Sequence, residues 1–157
     1  MLPKFSRKDK SAFTKNTYVK IMNMILDKCT LDEALNALIL EVQKLLDGQV
    51  PRHDLIINRT LSSNYKTETF PLKVFADKVG NINLGDTVSY VIVQDSSQLQ
   101  SHKMRLPDTQ EAIDYNYYIE KELMGYINDL FKTGFANEMT GSHRLSYNNE
   151  NRLITCV

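Results

Sequence analysis

The strongest constraint on the fold is a pair of consecutive segments whose apolar residues recur with helical spacing. The first segment starts at Thr14, and its apolar residues are Tyr18, Ile21, Met22, Ile25 and Cys29. The second segment starts with the capping-box pattern Thr30-x-x-Glu33. Its apolar residues are Leu31, Leu35, Leu38, Val42 and Leu45. Gly48 and Pro51 predict the end of this helix. Together the two segments predict a helical hairpin with a shared core.

After Pro51 the period of the sequence changes from helical to β. The runs from Asp54 to Leu61 and from Thr87 to Val93 predict two short strands, because they are rich in β-branched residues. Between them, the segment from Pro71 to Val79 predicts a short helix, followed by the turn sequence GNINLGD. The polar sequence that follows the second run is typical of a loop. The predicted class is α+β, mainly helical, with a small β section between helices.

The stretch from Ile113 to Phe131 holds four of the eight tyrosines of the chain. It also carries four acidic residues, Asp114, Glu120, Glu122 and Asp129. Three structures fit this composition: a stacking surface for nucleic acid, a catalytic carboxylate site, or one amphipathic helix. The spacing favours the helix, with Asp114 as its N-cap. Its apolar stripe would consist of Ile119, Leu123, Ile127 and Leu130. After Phe131 the chain becomes polar, and we predict a loosely ordered tail over 134–157 that follows a domain over 1–133.

Composition limits the classes of partner and compartment. Nineteen basic and nineteen acidic residues balance, so an electrostatic partner must be inferred from local rather than net charge. The first twenty residues contain six lysines and arginines against Asp9 alone. Cys29 and Cys156 do not form a disulfide framework, which favours a reducing intracellular compartment. No apolar run approaches the roughly 20 residues of a membrane span, so we expect no membrane partner.

The sequence lacks the motifs that carry catalysis. His53, His102 and His143 are scattered, and neither cysteine has a close cysteine or histidine partner. The segment LGDTVSY resembles a polymerase metal-binding motif, but Val88 stands where the second acid would be. Two-metal phosphoryl transfer needs convergent carboxylates, so Asp86 is predicted to be a turn residue. We therefore expect no catalytic residue, no metal ligand and no cofactor in this chain.

Read in order, the segments resemble the thumb region of a family B DNA polymerase. The helical hairpin is followed by LIINRTL, where the family has Val-Ile-Thr-Lys-x-Leu, and by FADKV, where it has Leu-Ala-x-x-Met. LGDTVSYVI then matches Gly-Asp-x-Val-x-Tyr-Val-Ile, and the tyrosine-rich stretch matches Ile-Asp-x-x-Tyr-Tyr-Leu-x-x-x-Leu. The resemblance covers roughly Phe5 to Phe131. Arg59 stands where the family usually has a lysine, so the positive charge is kept. Tyr126 stands where the family usually has a proline, so the tyrosine-rich helix is expected to continue through this position.

The resemblance implies a C-terminal part of a DNA-directed DNA polymerase that grips the primer–template duplex during DNA replication. The palm with its catalytic carboxylates and magnesium would be supplied by another chain or another part, so the isolated chain is not expected to be catalytic. Its partners would be the duplex and the remaining polymerase domains or a larger subunit. The absence of a cysteine-rich tail suggests a virus or mobile element, which would place a viral protein in the cytoplasm or nucleus of its host.

Phosphate binding requires cations, which are dense near the N-terminus. The candidate DNA-binding residues are Lys4, Arg7, Lys8, Lys10, Lys15, Arg59 and Lys66. Tyr117 and Tyr118 are predicted to pack rather than stack on bases, because a duplex presents bases that are already stacked. Glu120 and Glu122 are predicted to face solvent or form caps, away from DNA.

Two other classes of function fit the sequence. One is a stand-alone nucleic-acid-binding accessory protein that never joins a polymerase. The other is a protein-interaction module, because the residues Thr155-Cys156-Val157 resemble a peptide that adds a strand to a sheet edge. If this chain restored DNA synthesis by a polymerase core that lacks this region, only the polymerase role would fit.

Overall fold

A computed structural model describes residues 9–62, 71–97 and 99–157. The predicted helical hairpin is present as α1 (Ala12–Leu26) and α2 (Leu31–Leu46). The Thr30 hydroxyl accepts from the Glu33 amide at 3.1 Å, and the Glu33 carboxylate accepts from the Thr30 amide at 3.0 Å. These reciprocal bonds satisfy helix-terminal amides that have no partner within the helix, which confirms the predicted capping box.

The apolar stripes of the two helices face each other as predicted. The buried members are Tyr18, Ile21, Leu38, Val42 and Leu45, and the remaining members pack half-buried against the same core. Helix α2 ends at Leu46 and is followed by Gly48, whose φ of 75° lies in the left-handed region that glycine adopts without steric cost. The amides of Gly48 and Gln49 bond to the carbonyls of Leu45 and Lys44, which closes the last turn of the helix.

A three-stranded antiparallel sheet follows the hairpin. Its order is β1 (Ile57–Thr60), β2 (Thr87–Ile92) and β3 (Met104–Arg105). Ile57 pairs with Tyr90, and Thr60 pairs with Thr87. The predicted short helix is α3 (Pro71–Val79), which places the Phe75 ring edge-on to the Tyr90 ring at 6.0 Å. Asp86 is the turn residue that its sequence predicts, because its carboxylate accepts from the Asn83 amide at 2.9 Å.

The tyrosine-rich stretch is one continuous helical segment with a wide turn inside it. It consists of α4 (Tyr115–Tyr117), a π-helical segment (Tyr118–Leu123) and α5 (Met124–Gly134), which together we call the C-terminal helix. The Asp114 side chain accepts from the Tyr117 amide at 3.2 Å, which confirms it as the N-cap. The predicted stripe of Ile119, Leu123, Ile127 and Leu130 is fully buried. The helix also continues through Tyr126, as its sequence predicts.

The prediction that residues after Phe131 are loosely ordered is wrong. After α5 the chain forms a β-hairpin of β4 (Leu145–Asn148) and β5 (Leu153–Cys156), with Leu145 and Ile154 buried. The Asn128 side chain accepts from the Leu145 amide at 2.7 Å and donates to the Leu145 carbonyl at 3.0 Å. This two-point bond attaches the hairpin to α5. The domain boundary between residues 133 and 134 stays a prediction.

The Tyr118 hydroxyl joins three segments of the core. It donates to the Leu55 carbonyl at 2.7 Å and accepts from the Ile92 amide at 3.1 Å, although its ring is completely buried. It thereby connects the C-terminal helix to β2 and to the 3-10 turn Arg52–Leu55. Tyr118 is a packing residue, as its sequence context predicts.

We expect Tyr118→Phe to lower the free energy of unfolding by about 1–3 kcal/mol, because a buried carbonyl and a buried amide lose their shared partner. Urea denaturation monitored by circular dichroism measures this change. Tyr117→Phe is the matched control, since the Tyr117 hydroxyl accepts from the half-exposed Gln100 side chain at 2.9 Å. When the hydroxyl is removed, the Gln100 side-chain amide can form a hydrogen bond with water instead. An equal or larger loss in Tyr117→Phe would contradict the role of Tyr118.

Candidate nucleic-acid interface

Three of the seven candidate DNA-binding residues lie in the described part of the chain: Lys10, Lys15 and Arg59. The other four, Lys4, Arg7, Lys8 and Lys66, lie outside it. Lys15 is exposed on the first turns of α1, and Lys10 immediately precedes the Ser11 N-cap of that helix. The start of α1 therefore presents two cations.

A shallow groove of about 550 Å³ runs between the start of α1, the 3-10 turn and the sheet. Its lining residues are Lys10, Ala12, Lys15, His53, Ile56, Asn58, Ser89 and Pro107. None of these described lining residues is acidic, so the charged groups that face the groove are cationic. On its sheet side, Asn58 and Ser89 are directly paired across β1 and β2 and are hydrogen-bonded to each other. The groove thus combines cations with uncharged polar groups.

Arg59 does not line this groove. Successive side chains of a strand point to opposite faces, so Arg59 faces away from Asn58. Its Nε atom is 3.9 Å from the Asp9 carboxylate, and 29% of its side chain is exposed. It lines a smaller cavity of about 170 Å³ with Asp9, Lys10, Ile57, Tyr90, Tyr117 and Glu122. Among the residues that the structure describes, only Lys10 lines both spaces. The groove therefore brings Lys10 and Lys15 together, whereas Arg59 lies in the smaller cavity.

Of the two placements predicted for Glu122, solvent exposure or a helix cap, solvent exposure is wrong. Glu122 is only 3% exposed, whereas Glu120 is exposed as predicted. One Glu122 oxygen accepts from the Ser11 hydroxyl at 2.6 Å and from the Thr14 hydroxyl at 2.8 Å. The other accepts from the Ser11 amide at 3.2 Å. The carboxylate therefore binds the start of α1 across 111 residues of sequence.

The sequence holds a signal for a buried Glu122 that the apolar stripe alone leaves out. Glu122 follows Tyr118 by four residues and Ile119 by three, so it lies beside both on a helix surface. The π-helical segment adds residues to the turn, and Tyr118, Ile119, Glu122 and Leu123 are all buried there. The hydrogen bonds from Ser11 and Thr14 make the buried carboxyl group acceptable, because a buried polar group without a partner is costly.

Burial raises the pKa of Glu122 above its ordinary value of 4.5. Hydrogen bonds from Ser11 and Thr14 and the positive charge of Lys10 act in the opposite direction, because they stabilise the carboxylate, but burial dominates. Burial likewise raises the pKa of the Tyr90, Tyr117 and Tyr118 hydroxyls, which stay protonated near neutral pH.

The tyrosines do not form a stacking surface for bases. Tyr118 is buried, and the Tyr117 ring is edge-on to it at 5.9 Å. Tyr126 is edge-on to the buried Tyr18 ring at 6.5 Å, and Lys10 Nζ lies 5.8 Å from the centre of the Tyr126 ring. These rings are used in packing and in one cation–π contact.

Other features of the described residues bear on the alternative functions. Val157 exchanges two backbone hydrogen bonds with Arg144, each 2.8 Å long, so the residues that resemble a strand-adding peptide already belong to a hairpin. No group of three or more His, Cys, Asp or Glu side chains in the described ranges is arranged to hold a metal ion. No helix within those ranges is long and apolar enough to cross a membrane.

A family model described as DNA polymerase family B matches residues 4–133. The chain belongs to DNA polymerase family B. The DNA polymerase of Pyramimonas orientalis virus is 31% identical over 133 residues, which cover 75% of this chain and 11% of that protein. The DNA polymerase of Methanocaldococcus jannaschii is 28% identical over 129 residues, which cover 76% of this chain and 8% of that protein. This chain thus corresponds to about a tenth of the length of these relatives.

A solved structure supports the α+β fold. The family B DNA polymerase from Pyrobaculum calidifontis superposes with a TM-score of 0.62 at 23% identity, over 78% of this chain and 18% of that chain. The resemblance inferred from the sequence motifs is therefore confirmed at the level of the family and the fold.

We expect the stability of Glu122→Gln relative to the parent chain to rise with pH. Because the folded-state pKa of Glu122 lies above its ordinary value of 4.5, the folded protein holds this proton more tightly than the unfolded chain. The parent therefore loses stability as pH rises from about 4.5 through the folded-state pKa, whereas a glutamine has no proton to lose.

Urea denaturation of both proteins between about pH 4 and 8 measures this difference. The unfolding free energy of Glu122→Gln minus that of the parent should increase with pH and then level off above the folded-state pKa. Glu120→Gln, at an exposed position on the same helix, should show no such trend. A difference (variant minus parent) that stays constant or falls with rising pH would contradict the assignment.

Proposed function

We propose that this chain is the thumb part of a family B DNA polymerase and grips the primer–template duplex during DNA replication. The observation that carries the proposal is the groove beside α1, whose charged lining residues, Lys10 and Lys15, are cationic in a chain of zero formal net charge. A localised positive surface on a neutral chain is the electrostatic footprint of a phosphate-binding protein.

The groove suits backbone contact rather than base readout. The two lysines at the start of α1 provide mobile point charges for phosphates, and the Asn58 amide and Ser89 hydroxyl offer hydrogen bonds to phosphate or sugar oxygens. Such contacts fix the position of a duplex and carry no sequence information. A replicative grip requires this property, because it must slide over every sequence. Lys4, Arg7, Lys8 and Lys66 extend this proposed contact set, and Arg59 would add a charge from the opposite face of β1.

Catalysis would come from elsewhere. The chain corresponds to 11% or less of the two relatives described, so the palm carboxylates and their magnesium ions would belong to another part or another chain. Its partners would then be the duplex and the remaining polymerase domains, in an intracellular compartment that holds replicating DNA. In a viral system this would be the cytoplasm or nucleus of the host cell.

The grip predicts a salt-dependent affinity that falls when groove cations are removed. Each lost phosphate contact should reduce the slope of log affinity against log salt by about 0.9, so Lys15→Gln should lower it by about 1 and Lys10→Gln/Lys15→Gln by about 2. Fluorescence anisotropy with a labelled primer–template duplex at several salt concentrations measures these slopes. Substitution should weaken binding equally for unrelated duplex sequences.

Lys28→Gln is the matched control. Lys28 is exposed just beyond the far end of α1, and the 15 residues of that helix place it about 22 Å from the groove end. It should leave the slope unchanged. If Lys28→Gln and Lys15→Gln changed the slope equally, binding would be nonspecific and the groove would not be the interface.

A reconstitution experiment separates the polymerase role from that of a stand-alone accessory protein. Adding this chain to its cognate polymerase core that lacks the corresponding region should restore primer extension, and the Lys10→Gln/Lys15→Gln variant should restore less. Duplex binding without any restored synthesis would favour the accessory protein.

A further inference from the structure

We propose that Glu122 is a positioning residue of the duplex grip: by binding the start of α1, it places Lys10 and Lys15 along the groove. This inference rests on the proposed function. It concerns a residue of the C-terminal helix that does not line the groove itself and acts through α1.

The contacts of Glu122 lie between the two cations. Its carboxylate accepts from Ser11 and Thr14, both completely buried, at distances of 2.6 to 3.2 Å. Lys10 is the residue before Ser11, and Lys15 is the residue after Thr14. Fixing the backbone at Ser11 and Thr14 therefore fixes the points from which both lysine side chains extend.

The local cap of α1 is weak without this carboxylate. The Ser11 hydroxyl accepts from the Thr14 amide at 3.4 Å, which is long for a hydrogen bond. The same hydroxyl donates to Glu122 at 2.6 Å, a distance typical of a charge-assisted bond. Glu122 thus holds the Ser11 side chain in the orientation that caps the helix. This carboxyl group also lies at the N-terminal, positive end of the α1 dipole.

Tyr126 provides a second contact one turn along the C-terminal helix. Its ring lies 5.8 Å from Lys10 Nζ and packs edge-on to Tyr18 of α1. The C-terminal helix therefore holds the start of α1 by the hydrogen bonds that Glu122 accepts and restrains Lys10 through the Tyr126 ring. Because Lys10 lines both the groove and the cavity that contains Glu122, it is the direct link between the two spaces.

Glu122→Leu and Glu122→Gln test the inference as a pair. Leucine has a similar volume but cannot accept a hydrogen bond, whereas glutamine keeps an acceptor for the Ser11 amide and an amide that can donate to the two hydroxyls. We expect Glu122→Leu to weaken duplex binding as much as Lys15→Gln does and to reduce the salt slope by about 1. Glu122→Gln should bind within about twofold of the parent chain, since the positioning contacts persist.

A double-mutant cycle separates positioning from a general loss of structure. If Glu122 acts through the two lysines, Glu122→Leu should have little further effect on affinity in the Lys10→Gln/Lys15→Gln background. An equal fold-change in both backgrounds would overturn the inference. All measurements are made at a temperature at which circular dichroism shows that each variant is folded. If Glu122→Leu does not fold, Thr14→Val replaces it in the cycle, because valine removes one hydrogen-bond donor to Glu122 and keeps the shape of the side chain.

Hydrogen exchange supplies a readout that does not depend on DNA. Glu122→Leu should accelerate exchange of the amides from Ser11 to Lys15 relative to those of α2, and Glu122→Gln should not. Unchanged exchange at the start of α1 would overturn the inference. A parent chain that fails to bind the duplex would overturn the proposed function. A parent that binds, together with a Glu122→Leu variant that binds equally well, would overturn only the role of Glu122.

Discussion

The C-terminal helix buries two polar side chains in the core, and the structure depends on the hydrogen bonds that these side chains form there. Tyr118 bridges the Leu55 carbonyl and the Ile92 amide, and Glu122 binds Ser11 and Thr14. Buried polar groups are tolerated only when they are hydrogen-bonded, and the cost of leaving them unpaired fixes the geometry of their partners. One helix thereby sets the positions of the sheet, the 3-10 turn and the start of α1.

The same constraint explains how a chain without net charge can present a cationic groove. Nineteen acids balance nineteen bases, yet Glu122, which bonds to the start of α1, is buried and lines the smaller cavity instead of the groove. Asp9 lies with Arg59 in the smaller cavity, where their opposite charges are 3.9 Å apart. Lys10 and Lys15 then face the groove without a carboxylate among its described lining residues. Segregation of charge, rather than an excess of it, creates the positive surface.

Prediction from the sequence succeeded where a local pattern decides the structure. Helix α2 is specified by a capping box at Thr30, a periodic apolar stripe and a glycine at its end, all within twenty residues. Asp114 as an N-cap and Asp86 as a turn residue are equally local, because each side chain bonds to a backbone amide three residues away. The hairpin after α5 was not predicted because its strands are only four residues long within a polar segment, and its attachment depends on Asn128, 17 residues before Leu145.

The sequence by itself determined the helices, the main strands and the family, since these depend on short-range periodicity, caps and ordered motifs. Only the tertiary structure decided which charges act together. It separated Arg59 from the groove, because neighbouring residues of a strand face opposite sides, and it buried Glu122 against Ser11, 111 residues away. No local pattern specifies such a contact, because it depends on a wide helical turn and on the packing of two helices that meet only in the folded chain.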